Sequence, residues 1–168
     1  MEQEWDINLY EEIDSFLTSL KSDQSKYKFS PVLDGTTDYG DSLDLGFSCY
    51  ALKCYFMLGL WEKLDNNIQN EWTEHINKFQ QDVKDLPKSS YVDPQILKYY
   101  NSPSVKYSLK NLIKKILYLL NISLKRTSSQ LYRDSIRAET KQAISTLFQV
   151  GFQNEKKYTD FPKTKESI

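Results

Sequence analysis

The sequence predicts an all-α protein built from antiparallel inner and outer helix pairs, stacked as part of a ring or as a short solenoid. Three observations carry this. Apolar residues recur at helical spacing in five segments. One of these, from about Asp44 to Trp61, is apolar almost all round, while the next, about Asn66 to Gln81, carries a single narrow stripe. A helix without a polar face is expected inside and a one-faced helix outside, so the two read as a pair. Third, Ala51-Leu52, Phe56, Leu58 and Gly59 align with Ala143-Ile144, Phe148, Val150 and Gly151 at an offset of 143 − 51 = 92 residues. Repeated helix pairs bury their faces by stacking side by side.

The first helix is expected over about Trp5 to Lys21, with Leu9, Ile13, Phe16, Leu17 and Leu20 in one stripe. Acidic residues crowd its first half and Lys21 closes it, which suits the helix dipole. Residues 22–43, rich in Ser, Asp, Gly and Thr, read as a long loop, and loops of this length tend to be functional or mobile. Asp44 is the expected N-cap of the second helix. The third helix opens on Asn66 and Gln69, spaced like a capping box. Its stripe is Ile68, Trp72, Ile76 and Phe79.

Residues 83–104 read as a second loop, ending on Ser102-Pro103 as the cap and first position of a fourth helix. That helix carries Val105, Leu109, Leu112, Ile113, Ile116, Leu117 and Leu120. The fifth runs from about Ser129 to Phe152. Both repeat units close on a glycine, where a left-handed cap is wanted. Residues 1–152 therefore form one helical-repeat domain, and the polar residues 153–168 are expected to fray.

Composition narrows the function. With 22 basic against 23 acidic residues the net charge is −1, and no basic block is present, so nucleic-acid binding is not expected. The acidic N-terminus is unlike a secretory or transit peptide, and the longest apolar stretch falls short of the ~20 residues of a membrane span. A cytoplasmic location follows as the expectation. Cys49 and Cys54, five apart on a helix, point in different directions and read as free thiols; without a nearby His they offer no zinc site. No metal or cofactor is expected.

The stretch Phe47–Trp61 followed by Glu71-Trp72-Thr-Glu-His-Ile-Asn-Lys-Phe-Gln80 resembles one helix pair of the α/α toroids. These families include prenyltransferase and squalene–hopene cyclase repeats and the helical glycoside hydrolases and lyases; proteins of bacterial polysaccharide gene clusters have similar stretches. Ile136–Gly151 resembles the inner helix of a later pair. The Gly-aromatic-Trp end of a cyclase repeat is missing after Gln80-Gln81, where Ser90-Tyr91-Val92-Asp93 stands, and no Asp-rich cyclase motif is present. The likeness covers about two thirds of the chain. A complete toroid has roughly twice this length, so the resemblance implies its N-terminal part.

In such rings the site lies near the N-terminal ends of the inner helices. That implies a meeting of Asp38, Asp41 and Asp44 with Arg133, Asp134, Arg137 and Glu139. Glu139 and Asp44 are the catalytic candidates, because paired carboxylates are what glycoside cleavage needs. Asp38, Tyr91, Asp93, Arg137 and Gln142 are candidates for substrate binding, and Tyr39, Tyr50, Tyr91 and Tyr132 for aromatic platforms. The plainer account of the same residues is helix capping by the aspartates and ion pairing by the arginines. His75 is expected to pack beside Trp72 and Phe79 and hydrogen-bond one neighbour.

Three functions stay open. The chain is the N-terminal part of a toroid acting on a glycan or isoprenoid, incomplete alone; or a helical-repeat binding module; or a shortened product without independent activity. Self-association, or a partner chain that completes the repeat, accompanies the first.

Overall fold

The computed structural model describes residues 4–23, 25–101, 112–113 and 128–161. Within them the chain is mostly helical: α1 Glu4–Ser19, α2 Asp38–Ser42, α3 Leu45–Met57, α4 Asn66–Asn77, α5 Pro94–Asn101 and α6 Ser128–Gln149. Strands β1 (Gln80–Gln81) and β2 (Ser90–Tyr91) pair antiparallel, with Gln80 opposite Tyr91. No helix among the described residues is long and apolar enough to cross a membrane. The expected fourth helix lies outside the described residues apart from Leu112 and Ile113, which are helical and exposed.

Helices α3 and α4 form the expected antiparallel pair, joined through a 3₁₀ turn at Trp61–Lys63. Asp44 meets His75 at the start of α3, and Ser48, one turn on, meets Trp72, so the two chains run in opposite directions. Trp72 is the hub of the core. Tyr27 and Phe29 stack on it at 5.4 and 5.5 Å, Tyr55 meets it edge-on at 5.2 Å, and Trp61 at 6.3 Å. Its buried indole N–H donates to Ser48 Oγ at 2.9 Å, which removes the cost of burying a polar group.

Helix α6 lies beside α3 and runs the same way. Gln142 Nε2 donates to the Gly46 carbonyl at 3.1 Å, and further along Lys53 Nζ donates to Ser145 Oγ at 3.3 Å. The last pair is separated by the same 92 residues as the sequence repeat. Both helices also end alike. Gly59 (φ 62°) and Gly151 (φ 81°) take the left-handed conformation. The following N–H turns back to the helix, Leu60 to Tyr55 at 2.9 Å and Phe152 to Leu147 at 2.9 Å. These are paired Schellman caps, which satisfy carbonyls left open at a helix end.

Several expectations need correction. α3 is not buried on all sides, since Tyr50 is 57% and Met57 70% exposed. Asp44 stands at the N-cap position but makes no side-chain capping bond. The Asn66/Gln69 capping box is absent: Asp65 is the N-cap, and Gln69 Nε2 donates to the Trp61 carbonyl at 2.8 Å. α4 stops at Asn77, because Gln80–Gln81 pair with β2 instead. The 22–43 segment buries Tyr27, Lys28 and Phe29 and contains α2, capped by Thr37 Oγ1 on the Gly40 N–H at 3.0 Å. The 83–104 segment contains β2 and α5.

Residues 153–161 of the polar tail are mostly exposed but touch the rest of the fold at several points. Tyr158 is buried, Lys156 N–H donates to Gln80 Oε1 at 2.8 Å, and Asp160 pairs with Arg137. A polar composition hid these contacts, because most of them run through backbone groups.

Candidate functional site: a buried carboxyl pair beneath tyrosines

A second, smaller core of Val92, Ile96 and Ile136 brings the start of α5 against the middle of α6, with Tyr100 and Tyr132 packed on it. Asp93 sits at this junction and is 1% exposed. It is the N-cap of its own helix, with Oδ1 accepting the Gln95 N–H at 2.9 Å, and Pro94 takes the first helical position. Its other oxygen, Oδ2, accepts from Asp44 N–H at 2.7 Å and Leu45 N–H at 3.2 Å. One carboxylate thus caps two helices, and the N-terminal dipoles of both favour its charge. This explains why Asp44 leaves its own cap and turns its side chain to His75 Nε2 at 3.0 Å.

Glu139 approaches Asp93 from α6. The Asp93 backbone N–H bonds to its carboxyl, but Oε2 is buried and has no hydrogen-bond partner among the described residues. Burial, and secondly the negative charge of Asp93, push the Glu139 carboxyl up to about 8. It therefore holds a proton at neutral pH, next to the Asp93 carboxyl that helps to raise it.

Four tyrosines stack in a row near this pair. Tyr39 stacks on Tyr99 at 4.4 Å, Tyr99 meets Tyr100 edge-on at 5.4 Å, and Tyr100 lies 4.8 Å from Tyr132. Tyr132 precedes Glu139 by two helical turns and shares its face of α6. Tyr39 feels both carboxyls: its hydroxyl is pushed up to about 12, first by burial, then by Tyr100, Glu139 and Asp93. The ladder runs from half-buried Tyr39, Tyr100 and Tyr132 to exposed Tyr99.

Of the residues expected at the site, Glu139, Asp93, Tyr39 and Tyr132 come together, and Asp44 adjoins them through its backbone. The others stand elsewhere. Asp38 is exposed in the first turn of α2, and Asp41 accepts from Ser30 Oγ at 3.0 Å. Tyr91 is fully buried, its hydroxyl donating to Asn77 Oδ1 at 2.5 Å and its N–H to Thr140 Oγ1 at 3.0 Å. Arg137 pairs with Asp160 at 2.7 Å on the exposed side of α6. Gln142 ties α6 to α3, and Tyr50 faces solvent on α3. Tyr99 and Tyr100 were concealed in the 83–104 loop, although Asp93-Pro94 is a helix-start signal that would have placed them on α5.

Among the described residues no three His, Cys, Asp or Glu side chains converge as a metal site. An open depression of about 500 Å³ lies on α1, lined by Glu11, Glu12, Ser15, Phe16 and Ser19, away from the carboxyl pair. Its carboxyls, Glu11 and Glu12, are exposed. No family model, curated protein or solved structure matches the chain.

Proposed function

We propose that the chain is a binding module for a neutral, polyhydroxylated ligand such as a glycan, taken up at the Tyr39–Tyr99–Tyr100–Tyr132 ladder above Glu139. The observation that carries this is the Glu139 oxygen left without a partner, near enough to raise the hydroxyl of Tyr39, one member of a partly exposed aromatic stack. Tyrosine faces offer stacking to sugar rings, and a buried polar atom without a partner favours any ligand hydroxyl that reaches it. An isoprenoid diphosphate fits less well. Among the described residues no cation faces the carboxyl pair to receive it, and Arg137, the cation expected nearby, is held by Asp160.

Binding is favoured over glycoside cleavage by the state of the carboxyls. Glu139 is protonated and suits a general acid, but the second carboxylate is committed. Both Asp93 oxygens accept backbone N–H groups, and Asp44 is paired with His75. The parallel α3–α6 neighbours and the outer α4 support descent from an α/α toroid, with the carboxyl pair at the start of α3 and midway along α6. A partner that completes the repeat would meet the open face of α3 and α6.

Calorimetry of the full chain against a panel of neutral oligosaccharides tests this reading. At least one sugar binds, and Tyr99→Ala, which removes an exposed ring, weakens it about tenfold, the equivalent of about 1.4 kcal/mol of stacking. No heat with any sugar at millimolar concentration, or unchanged binding by Tyr99→Ala, overturns it.

A further inference from the structure

A second feature is carried by different residues. α3 and α6 lie parallel, and the side turned away from the core exposes large apolar groups: Tyr50, Met57 and Phe148, the last 79% exposed. Met57 and Phe148 stand at the same end of the pair, each just ahead of its glycine cap. Isolated exposed apolar residues are ordinary, but a group of this size on adjoining helices marks a contact surface. The charges flanking it are basic, Lys53 and Lys141, and Lys53 bridges the helices through Ser145.

A surface of complementary character occurs on the same chain. α1 has no basic residue, and its open depression is lined by Glu11, Glu12, Ser15, Ser19 and Phe16, the last 51% exposed. α1 reaches α3 through Asp14 and Thr18 on the buried Tyr55, whereas Tyr50 and Met57 project from the other side of α3. One molecule therefore cannot bring its own α1 onto its own α3–α6 face.

The geometry points to head-to-tail self-association, in which the α3–α6 face of one copy seats Phe148 and Met57 on the α1 depression of a second. Lys53 and Lys141 then face Glu11 and Glu12. The symmetric alternative, two α3–α6 faces together, sets lysines against lysines and is disfavoured. A heterologous contact of this kind closes into a ring or continues as a chain, depending on its rotation. It extends sideways the helix pairs that the fold already stacks.

Sedimentation velocity of the full chain over a concentration series tests this, at low and high salt. Association that grows with concentration and weakens with salt is expected, since exposed charges are screened beyond about 8 Å at physiological ionic strength. Phe148→Asp raises the dissociation constant by at least about tenfold. The pairs Lys53→Glu/Lys141→Glu and Glu11→Lys/Glu12→Lys each abolish self-association, with helical circular dichroism unchanged. Mixing the two charge-reversed proteins restores it, because each then offers the other's complement. A monomer at every concentration overturns the proposal, as do charge reversals that associate like the parent or a mixture that stays monomeric. Sugar binding at the tyrosine ladder is unaffected by these variants, so the two readings fail separately.

Discussion

Replacing Glu139 by glutamine should remove most of the pH dependence of stability between about pH 5 and pH 8. The buried carboxyl titrates at about 8 in the folded chain, against an ordinary value of 4.5. Over this interval the folded protein keeps the proton and the unfolded chain has mostly lost its own. The unfolded state binds fewer protons, so stability falls as pH rises. The slope is about 1.4 kcal/mol per pH unit while that difference is complete, and integration from pH 5 to pH 8 gives a loss of about 3.5 kcal/mol. Below the unfolded value both forms are protonated, and above the folded value both are ionised, so the contribution levels off at each end. Glutamine has the same shape and no titration. Urea unfolding followed by circular dichroism, at five pH values for parent and Glu139→Gln, isolates the term as a difference of differences. Parallel curves for the two proteins would refute the buried, protonated carboxyl.

Three further outcomes follow from the same geometry. Asp93→Ala leaves the N–H groups of Asp44, Leu45 and Gln95 without their acceptor and should cost about 3 kcal/mol in urea unfolding, while moving the Glu139 midpoint down toward the ordinary range. Tyr91→Phe removes the bond to Asn77 and should cost about 1–2 kcal/mol by thermal unfolding, with no change in sugar binding, because this ring is structural. Gly59→Ala and Gly151→Ala should each cost about 1 kcal/mol. A Cβ at either glycine meets nothing within 4 Å, so the cost is that of the left-handed backbone, and unequal losses would argue against equivalent caps.

The larger helices were legible because their apolar spacing and closing glycines are local signals. The α3–α6 relation was legible too, as a 92-residue offset later matched by Lys53 and Ser145. What could not be read are elements whose stability comes from distant groups. β2 is held by Thr140 from α6, and the capping of α3 by Asp93 spans almost fifty residues, so nothing near Asp44 announces it. The apolar composition of α3 suggested burial on every side, yet Tyr50 and Met57 face outward, because composition alone does not say which sides of a helix its neighbours cover. Glu139 stood out as an acid entering an apolar helix. Arg137 stood out for the same reason but is claimed by Asp160, a residue of the tail that composition had marked as loose.

The most direct test of the central claim is an NMR titration of chain carrying ¹³C-labelled tyrosine rings with the oligosaccharide panel. Tyr39, Tyr99, Tyr100 and Tyr132 should shift together with one affinity, while buried Tyr91 and Tyr158 stay in place. Shifts confined to other tyrosines, or no shift with any sugar, would contradict a ligand site above Glu139.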